Sequence, residues 1–268
     1  MNANRALWEK GDFTRVAATM RESGEELVRD LGVGPETDVL DVGCGDGTTA
    51  IPAAQAGATV LGVDIAANLV AAGNARAQKL GLDRCRFEQG DACELQGATD
   101  GRYDLVLSVF GAMFAPHPDD VARELVRVTR PGGRVVMGNW IPGDPTLVAQ
   151  LLRISSAYAP PPPEGFVSPM AWGQPETVTE RFAGAGVSPR DVRCEEATFT
   201  FRSPEPPSAV LARFTEYYAP TMNAIAAAAA AGREAELRAE LEELFAQQNT
   251  SAVGTSIPAT YLRVSVQC

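Results

Sequence analysis

Apolar and polar positions divide this chain into two stretches with different rhythms. Leu7, Trp8, Val16, Met20, Leu27, Val28 and Leu31 recur so as to give one apolar face, which predicts one or two helices over residues 5–31. Gly32-Val33-Gly34-Pro35 ends that region. Short apolar runs then alternate with helix-like segments to about residue 140. Val39-Leu40 precedes a helix-like run from Thr48 to Ala56. Thr59-Val60-Leu61-Gly62-Val63 reads as the next strand, and Val121, Leu125 and Val128 recur at helical spacing behind an Asp119 or Asp120 cap. Alternation of this kind predicts an α/β fold with a doubly wound, mostly parallel sheet.

The rhythm changes after Trp140. Thr146 to Tyr158 reads as a helix, and Pro160-Pro161-Pro162-Pro163 forces an extended segment. Another helix starts at Gln174 or Pro175 and closes near Gly184 and Gly186. Cys194 to Phe201 has strand character and is broken by Ser203-Pro204-Glu205-Pro206-Pro207. Two further helices are expected. One runs from about Ser208 with Val210, Leu211, Phe214, Tyr217 and Tyr218. The other carries the stripe Leu237, Leu241, Leu244 and Phe245. Tyr261 to Val266 alternates as a strand.

Composition narrows the class. The 268 residues are 45% hydrophobic, enough for one large α/β domain or a core with a cap. The formal net charge of −11 repels phosphate backbones and anionic membranes, so neither nucleic acid nor membrane is an expected partner. The five cysteines, Cys44, Cys85, Cys93, Cys194 and Cys268, form no C-x-x-C pair and suit a reducing compartment. Met1-Asn2-Ala3-Asn4-Arg5 is followed by no apolar core, and the Ala-rich run Ala224 to Ala231 is too short to span a bilayer. A cytoplasmic protein, monomer or homodimer, is the expectation.

The chemistry concentrates in Asp41-Val42-Gly43-Cys44-Gly45-Asp46-Gly47. A glycine turn between strand and helix lets the backbone approach a ligand, and the helix N-terminus favours an anionic group there. The glycines fall as G-x-G-x-G behind an acid, not as the G-x-G-x-x-G of dinucleotide sites, which opposes a nicotinamide-dependent oxidoreductase. Asp64 ends the next strand, where a carboxylate can accept both ribose hydroxyls.

This stretch resembles motif I of the class I S-adenosylmethionine-dependent methyltransferases. Arg86-Phe87-Glu88-Gln89-Gly90-Asp91-Ala92, Tyr103-Asp104-Leu105-Val106-Leu107-Ser108 and Arg130-Pro131-Gly132-Gly133-Arg134-Val135-Val136-Met137 resemble the family's later segments, in family order, over residues 38–140. The resemblance implies a seven-stranded Rossmann-like methyltransferase sheet whose last two strands form an antiparallel edge hairpin, here interrupted by a helical cap. The boundaries expected are an N-terminal flap over 1–34, a cofactor-binding core over 35–145 and a Pro-rich lid over 146–189. Edge strands follow over 190–203 and 259–268, with the cap insertion at 204–258. It also implies S-adenosylmethionine as cofactor, held by Asp41, Gly43, Cys44, Gly45, Asp64, Ile65, Asp91, Ala92 and Ser108. In that set Asp41 orients the loop or meets the methionine amino group. Asp64 takes the ribose, Asp91 the adenine amine, and Cys44 acts through its backbone.

The Asn/Asp-Pro-Pro-aromatic box of nucleic-acid amino-methyltransferases is absent from Ser108-Val109-Phe110-Gly111-Ala112-Met113-Phe114-Ala115-Pro116. The segment is more similar to the small-molecule branch of the ubiquinone- and menaquinone-pathway type. Methyl transfer to O, N or C of a small, partly apolar molecule is therefore expected, and a non-catalytic cofactor-binding regulator is the alternative. Alignment of donor and nucleophile supplies most of the catalysis, so no metal or nucleophilic triad is expected. His117 is the candidate general base, against the plainer reading of an exposed loop histidine. Trp8, Trp140, Trp172 and Tyr217 are candidate acceptor contacts, each also able to serve simply as core. Asp12 either helps close the flap or caps the helix after it.

Overall fold

The computed structural model describes residues 3–162 and 165–268. Seven strands form one sheet: β1 (Asp38–Val42), β2 (Thr59–Asp64), β3 (Cys85–Gln89), β4 (Tyr103–Val109), β5 (Thr129–Trp140), β6 (Val192–Ser203) and β7 (Thr255–Gln267). Their order is β3-β2-β1-β4-β5-β7-β6. β1 to β5 pair in parallel, while β7 lies antiparallel between β5 and β6. The order reverses between β1 and β4, and the crevice beyond the carboxyl ends of strands at such a switch is where open α/β sheets bind ligands.

The helices are α1 (Ala3–Trp8), α2 (Thr14–Ala17), α3 (Arg21–Asp30), α4 (Ala50–Gln55), α5 (Ala67–Lys79), α6 (Pro118–Val128), α7 (Leu147–Tyr158), α8 (Pro175–Gly184), α9 (Pro207–Tyr217), α10 (Ala219–Ala230) and α11 (Glu234–Gln248). The apolar runs of β1, β2 and β4 are almost wholly buried, as parallel strands covered on both faces must be. Leu40, Val106, Val135 and Met137 face one core, and Val39, Leu105, Leu107 and Val136 the other.

Three features depart from the sequence expectations. Residues 204–254 hold three helices, not two. The extra one, α10, is alanine-rich with no strong apolar stripe, so it forms through high helix propensity and through packing on α7 and α9 rather than through a readable period. β7 begins at Thr255, ahead of its alternating segment. Pro258 is tolerated because it pairs only with Thr200 of β6, whereas β5 pairs no further than Tyr261. The N-terminal region is three helices broken at Gly11. That residue has φ +78°, and a Cβ there would lie 2.7 Å from the Tyr217 carbonyl, so α1 and α2 press directly on the end of α9. Asp12 lies just before α2 and accepts from the Thr14 amide at 3.3 Å and the Thr14 hydroxyl at 2.5 Å. The run Pro160–Pro162 is exposed and irregular; Pro163 lies outside the described residues.

Candidate active site

The glycine loop turns back onto β2. The amides of Gly43 and Cys44 both donate to the Val63 carbonyl, at 2.7 and 3.2 Å. Gly43 has φ +70°, and a Cβ on it would sit 2.6 Å from the Gly111 Cα, so two backbone segments touch where only hydrogen fits. The Gly45 amide donates to Asp64 Oδ2 at 2.8 Å, and the Ala66 amide to Oδ1 at 2.9 Å. Asp64 is thus held by the loop it faces, and burial raises its carboxyl above the ordinary range against the pull of those amides.

Asp41 stands behind the loop, 1% exposed, and accepts from the Thr49 hydroxyl at 2.6 Å. Burial pushes its carboxyl up to about 7, the Thr49 bond pulling down and the Asp64 charge adding to the rise. Ser108 is equally buried. It donates to the Val42 carbonyl at 2.8 Å and accepts from the Ala112 amide at 2.9 Å, tying the end of β4 to the end of β1. Burial, with Asp64 and Asp41 beside it, raises the Cys44 thiol and keeps it protonated.

Three adjoining cavities open at this edge. The first is a cleft of about 630 Å³ walled by Gly43, Gly45, Asp64, Ile65, Asp91 and Ala92 and roofed by Trp8 and Phe13. Asp91 Oδ1 accepts from the Cys93 amide at 2.9 Å. The second lies over the loop, against Cys44, Asp46, Thr48 and Thr49. There Asp46 is 2% exposed and ion-paired with Arg21, with Arg76 at 3.7 Å, yet its Oδ1 has no hydrogen-bond partner among the described residues. The third is an aromatic chamber that includes Trp8, Phe110, Trp140, Phe214 and Tyr218. Phe13 and Phe110 line all three.

The sequence candidates are thus placed unevenly. Gly43, Gly45, Asp64, Ile65, Asp91 and Ala92 line the cleft, and Cys44 the second cavity. Asp41 and Ser108 stand behind the walls and brace them. Trp8 faces both cleft and chamber, and Trp140 the chamber. Trp172 lines none of the three. It is 1% exposed, packed on Phe182 with the Arg181 guanidinium over its ring, because β5 and α8 enclose it. Tyr217 lines none either; its neighbour Tyr218 points inward instead, since the helix period turns consecutive residues to different sides. His117 is exposed at the N-cap of α6 and is not among the residues lining the three cavities.

Sequence reasoning missed Arg21, Asp46, Phe13, Phe110 and Phe114. Asp46 sat in plain view inside the glycine loop. Phe110 carried no signal: it is the described non-glycine residue with positive φ, +58°, immediately after β4.

A model of the methyltransferase domain matches residues 39–133. An uncharacterized protein of Mycobacterium tuberculosis is 33% identical over 255 residues, 93% of this chain and 89% of that protein. The methyltransferase GfsG of Streptomyces halstedii is 38% identical over 141 residues, 52% of this chain and 50% of that one. The YcgJ protein of Bacillus subtilis shares the fold, with a TM-score of 0.60 at 19% identity over 91% of this chain and 97% of that one. The chain belongs to the class I S-adenosylmethionine-dependent methyltransferases, and S-adenosylmethionine is its cofactor.

Proposed function

We propose that this enzyme methylates O, N or C of a small, partly apolar molecule, within the small-molecule branch of the ubiquinone- and menaquinone-pathway type. The observation that carries the reading is the contact of Gly45 with Asp64 at the floor of an open cleft that continues into an aromatic chamber.

The residues present fit the cofactor. A Cβ at Gly45 would meet nothing within 4 Å, so the loop leaves a free cradle. Asp64 uses one lone pair of each oxygen on backbone amides and keeps the others for ribose hydroxyls. Ile65 and Leu69 offer apolar surface to the adenine, and Asp91 faces its amine. The buried, unpartnered Asp46 Oδ1 suits the methionine ammonium. When bound, S-adenosylmethionine supplies an electrophilic methyl carbon on a sulfonium. The chain's part is to align the acceptor against it and exclude water, and the aromatic faces of Phe13 and Phe110 suit a cation nearby.

In this reading residues 1–34 act as a flap, 35–145 as the cofactor core, and 146–189 with 204–258 as lid and cap. The experiment is incubation with methyl-labelled S-adenosylmethionine and fractionated metabolites, followed by mass spectrometry. Label appearing in a low-molecular-weight fraction supports the reading. Label confined to nucleic acid or protein rejects it.

A further inference from the structure

The chamber behind Phe110 has an unusual wall. It is partly open to solvent, and its lining contains no Asp, Glu, Lys, Arg or His. Phe110 stacks on Trp140 with ring centroids 3.6 Å apart and planes 7° from parallel. Phe214 meets Tyr218 edge-on at 5.6 Å, and Trp8 and Phe13 approach the same tyrosine at 6.1 and 6.0 Å. The polar side-chain groups on this wall are the Tyr218 hydroxyl and the indole N–H groups of Trp8 and Trp140, all of them donors.

Tyr218 is 5% exposed, and its hydroxyl makes no hydrogen bond among the described residues. The hydroxyl keeps contact with the cavity and is not sealed in the core, so it is free to donate to an acceptor atom of a bound molecule. Burial raises the phenol far above its ordinary value, which keeps it protonated and able to donate, not to take a proton. The same uncharged, largely apolar wall penalises an ionised ligand, because no cation on it stands ready to replace its water. Aromatic faces on several sides favour a flat ring, through offset and edge-on contacts.

We propose that the chamber selects an uncharged, ring-containing acceptor bearing an oxygen, and that Tyr218 donates a hydrogen bond to that oxygen. The proposal rests on the reading that the adjoining cleft holds the cofactor. It names Tyr218 as the residue that sets acceptor orientation, and it excludes carboxylates and phosphates from the chamber.

The test is isothermal titration of the full chain, first with S-adenosylhomocysteine, then with 2-naphthol or 2-naphthoate, each with and without the nucleoside. These two probes share a ring system and differ in charge at neutral pH. The expected result is that 2-naphthol binds and 2-naphthoate binds at least about tenfold more weakly. Tyr218→Phe keeps the ring and its packing. It is expected to weaken 2-naphthol about fivefold to tenfold, the size of one neutral hydrogen bond, and to leave S-adenosylhomocysteine within about twofold. The proposal is overturned if 2-naphthoate binds as well as 2-naphthol, if neither binds, or if Tyr218→Phe leaves 2-naphthol unchanged. Should the variant lose its thermal transition, the contrast between the two probes on the unaltered chain decides. Absence of S-adenosylhomocysteine binding strikes the cofactor cleft instead, and is read separately from the naphthol titration.

Discussion

Gly45 and Asp64, nineteen residues apart, are joined by a hydrogen bond of 2.8 Å from the loop amide to the carboxylate. The bond makes the glycine loop and the end of β2 one unit, and it orients the carboxylate that faces the cleft. With Asp64 as the proposed ribose acceptor, removing the bond disturbs both that contact and the loop. Asp64→Ala is therefore expected to weaken S-adenosylhomocysteine about thirtyfold or more, in keeping with a lost charged hydrogen-bond acceptor. Titration calorimetry reads this directly, and a loss under threefold speaks against the role.

Asp41 sets a pH dependence of stability. Its carboxyl titrates near 3.8 when unfolded and at about 7 when buried. The folded state therefore binds the proton more tightly. Its stability is fullest below pH 4, declines as pH rises toward 7, and levels beyond, with a total on the order of 4 kcal/mol. Asp41→Asn lacks this titration. Its melting temperature is expected to gain on the unaltered chain from pH 5 to about pH 7 and to level off above that. A constant difference across that range would falsify the assignment.

Gly43 and Gly111 touch through their backbones. Gly43→Ala puts a Cβ into that contact at positive φ and is expected to cost roughly 1–3 kcal/mol, with loss of cofactor binding exceeding loss of fold. Thermal melts alongside the titration separate the two. A variant that binds normally argues that the loop has slack.

Trp8 packs on Phe114 at 5.0 Å and on Phe13 at 5.8 Å, half-buried over the cleft. α1 is further tied down where the Ala67 amide donates to Glu9 at 3.2 Å and where the Asn4 amide meets the Phe114 carbonyl. If this segment acts as a flap, Trp8→Ala speeds release of S-adenosylhomocysteine about threefold to tenfold, as lost apolar cover predicts. Stopped-flow displacement measures it, and an unchanged off-rate assigns Trp8 to packing alone.

His117 supplies the contrary case. Being exposed and off the cavity walls, it is expected to be dispensable. His117→Ala should keep turnover within about twofold, as steady-state kinetics would show. A fall of a hundredfold would restore it as the general base.

How much was legible in the sequence follows from how far each constraint reaches along the chain. The turn at Gly43, the acid at the end of β2 and the alternation of strand and helix are set by local rules: φ sign, apolar run length and period. Gly43, Gly45 and Asp64 could be located that way, whereas Ile65, Asp91 and Ala92 were placed by the resemblance to the methyltransferase segments. Asp41 and Ser108 belonged to the same segments, but which side of the wall they occupy depends on Thr49 and Ala112, and so on packing. The third cap helix escaped because alanine has no polar side to contrast with an apolar one.

The aromatic chamber was decided only by the tertiary structure. Its walls come from α1, α2, the turn after β4, the end of β5, β6 and α9, far apart in sequence. Whether Tyr217 or Tyr218 faces inward, and whether Trp172 meets substrate or core, turns on the rotation of one helix and the cover supplied by another. The amino-acid pattern alone determined the class of fold and the position of the glycine loop, because those follow from backbone geometry over a few residues. The chamber's walls follow from long-range packing, which no local periodicity encodes.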